Sequence, residues 1–246
     1  MICLLPLLIY TLSCSTAHKE SQTAPSSTYE VTKFKHPPVI DADWEKEEWT
    51  KIVPLAIDNF MGDRPEHLPK VQAKIAYDSE AIYVIFRVED QYVKAIHQNH
   101  QDPVYKDSCV EFFFSPEVSS DSGYFNLEMN CGGKMLFHHQ SAPRVGNVNV
   151  SPEDIGKVQV AHSLPDLVDP EIQVPTTWTV EYRIPFSILQ NYHSLTTPEP
   201  GTTWRANLFK CADGTSHPHW LTWAPIDFPR PNFHVPEYFG RLQFVD

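Results

Sequence analysis

The chain has 246 residues, 41% hydrophobic and 20% charged, with 22 prolines against 9 glycines and a formal net charge of −12. Proline inside a helix costs about 3 kcal/mol, so a helical bundle is excluded. The acidic balance likewise excludes a nucleic-acid or anionic-membrane surface, because both need clustered Lys and Arg.

The chain opens on Met1–Cys14 (MICLLPLLIYTLSC), an uncharged apolar run followed by polar residues. Fourteen residues are too few to cross a hydrocarbon layer roughly 30 Å thick, so the run reads as the apolar region of an export signal. Ser13-Cys14 resembles a bacterial lipoprotein cleavage site in which Cys14 is lipidated, although Thr11 and Leu12 depart from the usual residues. A conventional cleaved signal and an unprocessed apolar start are the alternatives. Residues 15–30, including SQTAPSST at 21–28, then form a flexible tether too small and polar to pack. The expected location is the cell envelope, as an outer-membrane or periplasm-facing lipoprotein, or the medium.

The body reads as strands. Trp44–Thr50 gives one short helical turn, and Val71–Tyr77 then alternates with period two before a turn at 78–80. Ala81–Val88 (AIYVIFRV) is strongly β-prone, as is Cys109–Phe114 (CVEFFF). Gly123–Asn130 alternates again, and Gly132-Gly133 turns the chain into Lys134–Phe137. Thr177–Ile184 places Trp178, Val180, Tyr182 and Ile184 on one face, and Pro185–Leu189 makes a second helical turn. Trp204–Phe209, Trp220–Trp223 and Gly240–Phe244 complete the set. The class is all-β: a two-sheet antiparallel sandwich with jelly-roll-like topology, in one domain over 31–246. Beyond Cys3 and Cys14, Cys109, Cys131 and Cys211 lack CxxC spacing, which excludes finger-type metal sites. They form either three buried thiols or one disulfide with a thiol left over.

Val39-Ile40-Asp41 with Trp44 and Trp49 resembles the opening of carbohydrate-binding module family 9. Ala76-Tyr77-Asp78, Ile82-Tyr83-Val84 and Val88-Glu89-Asp90 resemble its first strand pair. Asp107-Ser108 with Val110-Glu111-Phe112-Phe113 looks like its "DSVE.F" strand. Gly123-Tyr124, Glu128-Met129-Asn130 and Phe239-Gly240-Arg241-Leu242 continue the match in order, over about 31–246.

The resemblance implies a saccharide held between two aromatic side chains at one end of the sandwich. The corresponding positions are Tyr105 and Phe233, where the family has tryptophan. Glu111 falls on the carboxylate that accepts from sugar hydroxyls, and Arg230 and His234 are rim candidates. Arg230 stands where an amide is expected and Glu128 where an arginine is expected. Each has a structural reading beside it. Tyr105 would be a loop anchor, Phe233 a plug over the sandwich end, and Glu111 the buried partner of an Arg or Lys. Trp44, Trp49 and Trp223 read as core.

Competing chemistry finds less support. There is no GxSxG, HExxH or glycine-rich phosphate loop. His138 and His139 project to opposite faces of a strand, and His217 and His219 lack an evident third ligand. Met129 and Met135 come without the CxxCH of an attached haem. Structural calcium, implied by the family, would draw on Asp58, Asp63, Asp90, Asp102 and Asp121. The expected function is non-catalytic binding of an oligo- or polysaccharide by an exported, lipid-anchored module, with the enzymes of a glycan-degrading system as partners. Membrane contact would come only through the lipid anchor. The alternatives are a structural or protein-interaction sandwich that has lost the sugar, and a hydrolase.

Overall fold

The computed structural model describes residues 27–119 and 122–246. Cys14, the signal and most of the tether lie outside the described residues, as does Asp121.

β1 (Thr28–Lys33) is followed by α1 (Glu47–Thr50) and the short strands β2 (Leu55–Ala56) and β3 (Asn59–Phe60). Two long strands, β4 (Lys70–Tyr77) and β5 (Ala81–Asp90), lead to β6 (Val93–Ala95). The middle of the chain supplies β7 (Cys109–Ser115), β8 (Tyr124–Asn130), β9 (Met135–Gln140) and β10 (Val148–Asn149). After α2 (Pro152–Ile155) come β11 (Gln159–His162), β12 (Val168–Ile172) and β13 (Thr176–Pro185), then α3 (Phe186–Leu189). β14 (Thr203–Cys211), β15 (Trp220–Thr222) and β16 (Gly240–Val245) finish the sandwich.

Backbone hydrogen bonds run through one ladder in the order β10-β9-β8-β7-β14-β16-β1-β4-β5-β13-β11. The ladder curls so that its two halves share a core. Phe112, Phe114, Phe125 and Leu208 from one half meet Phe86, Trp178, Val180 and Tyr182 from the other. Most pairings are antiparallel, but β1 runs parallel to both β16 and β4. It begins at Thr28, so the folded domain starts three residues before the expected boundary at 31. Tyr29 and Val31 turn inward from it and join the core.

The tryptophans near the start are structural, as expected. Trp49 is fully buried, and its indole Nε1 donates to Glu181 Oε1 at 2.8 Å. Glu181, also fully buried, takes three further donors, the Asp41 N–H at 3.0 Å, the Ala42 N–H at 2.8 Å and Lys46 Nζ at 2.9 Å. A carboxylate survives in an interior only with such partners.

β7 decides where the site lies. All seven of its residues are buried, yet its side chains alternate between two environments. Val110, Phe112 and Phe114 enter the core between the layers. Cys109 and Phe113 belong instead to a second cluster, with Tyr124 of β8, Phe209 and Cys211 of β14, Phe233 and Phe239. That cluster occupies the outer face of the sheet. The segment between β15 and β16 roofs it, pinned by Asn207, which exchanges two hydrogen bonds with the Ala224 backbone, at 2.9 and 3.0 Å.

Candidate functional site

A cavity of about 260 Å³ opens over this outer face. Its floor is Glu111 and Phe113 from β7, Glu128 from β8 and Cys211 from β14. Four of the five residues expected to meet sugar border it: Tyr105, Glu111, Phe233 and His234. Glu111, Phe113 and Glu128 lie within their strands and Cys211 ends β14, so the groove lies on the outer face of the sheet. The reason is that the roofing segment covers the sheet's outer side, where the alternation of β7 puts Glu111.

Tyr105 sits in a 3-10 turn, Val104–Lys106, and is 36% exposed. Its backbone is fixed while its ring is free. The Tyr105 carbonyl accepts from the Asp213 N–H at 3.3 Å and from Cys211 Sγ at 3.4 Å, and the Lys106 carbonyl accepts from the Gly214 N–H at 2.8 Å. A Cβ at residue 214 would stand 2.7 Å from the Lys106 carbonyl oxygen, so this approach needs glycine. Asp107 holds the other side of the turn. Its buried carboxylate accepts from the Ile96 and His97 N–H groups, His97 Nδ1 and Asn130 Nδ2.

Phe233 is only 8% exposed and stacks on Phe209, with centroids 4.1 Å apart and planes 12° from parallel. One of its faces is therefore committed to the second cluster. Arg230 is exposed and does not border the cavity; Arg144, from the loop after β9, does. The sequence placed no weight on Arg144, whose backbone sits at φ 60 in an irregular turn. Trp220 and Asp213 also border the cavity, joined by a 2.8 Å hydrogen bond from indole Nε1 to Oδ1. Alternation had made Trp220 a strand residue, with nothing to mark it as a wall.

The floor is acidic and lacks a buried cation. Glu111 and Glu128 are direct partners across β7 and β8. Burial, then the neighbouring Cys211 and Glu128, push the Glu111 carboxyl well above its ordinary range. Burial raises Glu128 to about 7, against smaller opposing effects of Asn126 and Arg144. Asp213 is raised as well, again by burial. The expected Arg or Lys partner of Glu111 is absent among the described residues; the Cys211 thiol fills that role, 3.0 Å from Oε1. Glu128 Oε1 accepts from Asn126 Nδ2 at 3.1 Å, and its buried Oε2 has no hydrogen-bond partner.

A polar chain continues from the floor to the rim. Asn126 Oδ1 accepts from Gln140 Nε2 at 2.9 Å, and Gln140 Oε1 accepts from the Tyr124 hydroxyl at 3.0 Å. With its one proton so used, the Tyr124 oxygen accepts from His234 Nδ1 at 2.7 Å. Burial, reinforced by Arg144, lowers His234 to about 4, so the ring is neutral near pH 7. Its Nε2 is then an acceptor.

Cys109, Cys131 and Cys211 are free, buried thiols. Of the aspartates considered for calcium, Asp90 is held by His67 at 2.7 Å and lies 3.7 Å from Lys210 Nζ. His219 Nε2 is 2.8 Å from the same ammonium. Asp90 ends β5, whereas Asp58, Asp63 and Asp102 come from three separate loops. Among the described residues the one grouping with metal-ligand spacing is Cys109, Glu111 and Cys211.

A family model described as Carbohydrate-binding family 9 matches residues 43–244. No curated protein matches the chain. Among solved structures, a Bacteroides uniformis protein described as a candidate carbohydrate-binding protein is 29% identical, with a TM-score of 0.81. The alignment covers 89% of this chain and 100% of that one. A family 9 carbohydrate-binding module from Caldicellulosiruptor kristjanssonii, solved with cellotriose, is 16% identical with a TM-score of 0.61, covering 89% of this chain and 94% of that one. The glucose complex of such a module from the same organism gives 16%, 0.62, 89% and 95%. At that identity the likeness speaks for the fold.

Proposed function

The chain belongs to carbohydrate-binding family 9, and from that premise we propose that the cavity over β7, β8 and β14 is its saccharide site. The module binds there without catalysis. A pyranose ring has apolar faces and a rim of hydroxyls, so its site needs aromatic surface beside polar groups that both donate and accept. Tyr105 offers an exposed ring, and Phe233, backed by Phe209, presents its remaining face. Protonated Glu111 and Glu128 can donate as well as accept, and His234 Nε2 accepts.

The observation that carries this reading is convergence. Tyr105, Glu111, Phe233 and His234 come from distant parts of the chain, were picked out as sugar contacts, and border one cavity. Affinity should be modest, roughly −4 to −8 kcal/mol, the micromolar to millimolar range. Calorimetry with glucose and cellotriose, followed by a glycan array, tests it. The double variant Tyr105→Ala, Phe233→Ala should abolish binding of whichever saccharide the parent takes. Retention of binding by the folded double variant would remove this cavity from the account.

The proposal extends to export, with Cys14 lipidated and the module serving a glycan-degrading system. Labelling with a fatty-acid analogue, lost on Cys14→Ala, checks the anchor. A second reading, hydrolysis, draws on the Glu111–Glu128 pair. Glycoside hydrolysis through two carboxyls requires one of them ionised as nucleophile or base, whereas burial raises both. Product release from a bound oligosaccharide would favour the hydrolase.

A further inference from the structure

We propose that Cys109, Cys211 and Glu111 form a binding site for a thiophilic divalent ion, zinc in the first instance, beneath the floor of the cavity. One ligand atom from each residue lies within 4.8 Å of the others. Tetrahedral zinc, with bonds of about 2.3 Å to sulfur and about 2.0 Å to oxygen, needs its donors roughly 3.5–3.8 Å apart. Small side-chain rotations close that gap. The backbone needs no change, because Cys109 and Cys211 are direct partners on the antiparallel strands β7 and β14. Glu111 follows two residues after Cys109 on the same face.

Glu128 supplies a second, independent indication. It is 5% exposed, it stands opposite Glu111, and its Oε2 is buried without a partner. A zinc-bound water in the fourth position would satisfy that oxygen, as outer carboxylates commonly do around metal ligands. The charge arrangement agrees. Lys210, the neighbouring buried ammonium, alternates to the opposite face of β14 and is engaged by His219 and Asp90. No cation among the described residues otherwise serves the floor from within. Two thiolates favour zinc over calcium or magnesium, which take oxygen ligands. Glu111 and Cys211 border the open cavity, which gives the ion a path. On binding, the two thiol protons and any proton on Glu111 pass to the buffer, and nothing is oxidised or reduced.

The inference does not depend on sugar binding, and its test uses the whole chain without saccharide. Protein purified under reducing conditions is loaded with Zn²⁺, freed of excess by gel filtration and measured for metal content. A parallel sample takes Co²⁺. The expected result is one ion per chain and a thiolate-to-cobalt charge-transfer band, with zinc affinity falling tenfold or more in Cys109→Ser, Cys211→Ser and Glu111→Gln. The cobalt band of the unmodified chain needs no variant, so a serine variant that fails to fold leaves the test intact. Less than stoichiometric metal with both thiols titrating as free overturns the proposal. So does a Cys109–Cys211 disulfide that forms under these conditions, or undiminished binding in the folded variants.

Discussion

The two faces of β7 present one strand with two chemistries. Val110, Phe112 and Phe114 look into the core between the layers, where Phe112 and Phe114 stack at 4.6 Å and Phe114 lies nearly parallel to Trp204 at 5.6 Å. Cys109, Glu111 and Phe113 look the other way, and are buried just as deeply. Depth therefore does not separate scaffold from site. What separates them is how the polar groups are satisfied: the inner face has none to satisfy, while the outer face carries carboxyls and thiols beneath an opening.

Substitutions can break that comparison. The largest expected effect is on the inner face. Phe112→Ala leaves a cavity in a closed core and should cost about 3–5 kcal/mol in denaturant unfolding, with saccharide affinity unchanged in the fraction still folded. Loss of affinity in that folded fraction would show the faces to be coupled. Next comes Tyr105→Ala, which removes an exposed ring from a turn fixed by its backbone. Binding should weaken by about 2 kcal/mol, roughly thirtyfold, while the thermal midpoint hardly moves.

pH sharpens the contrast further. Glu128 is raised from 4.5 to about 7, so between those values the folded chain holds a proton that the unfolded chain has lost. Stability from this group is present below pH 4.5 and falls as pH rises toward 7, by at most about 1.4 kcal/mol per pH unit. His234, lowered to about 4, works in the opposite direction, gaining stability as pH rises from 4 to 6.5. The clean readout is consequently a difference. Glu128→Gln should gain on the parent steadily between pH 5 and 7 in urea unfolding, and a constant offset would contradict the buried-acid assignment. The smallest effect belongs to Arg230→Ala, exposed and away from the cavity, which should change affinity less than twofold. Arg144→Ala, at the rim, should change it several-fold.

Much of this was legible because alternation and turn chemistry are local. β4, β5, β13 and the two helical turns follow from runs whose apolar period is unambiguous. Glu111 was placed on the face of Cys109 and Phe113 by period two alone. The remainder depends on contacts between distant segments. β2, β3 and β10 are two residues long and exist only because a neighbour pairs with them. Phe233 and Tyr105 have similar Pro-containing surroundings, and nothing local says that one ring would settle on Phe209 and the other stay open. Arg144 could not be distinguished from Arg230 before the loop after β9 was seen to reach the cavity. The thiol pair was hidden for the same reason, since Cys109 and Cys211 lie far apart in the chain and meet only through strand register.

The most direct measurement is a crystal structure of the chain with a saccharide chosen by affinity from glucose, cellotriose and longer oligosaccharides. The account predicts sugar density in the cavity, one ring face against Tyr105 and hydroxyls within 3.5 Å of the Glu111 carboxyl. Ordered sugar at either end of the sandwich or on another surface, with this cavity holding only water, would contradict it.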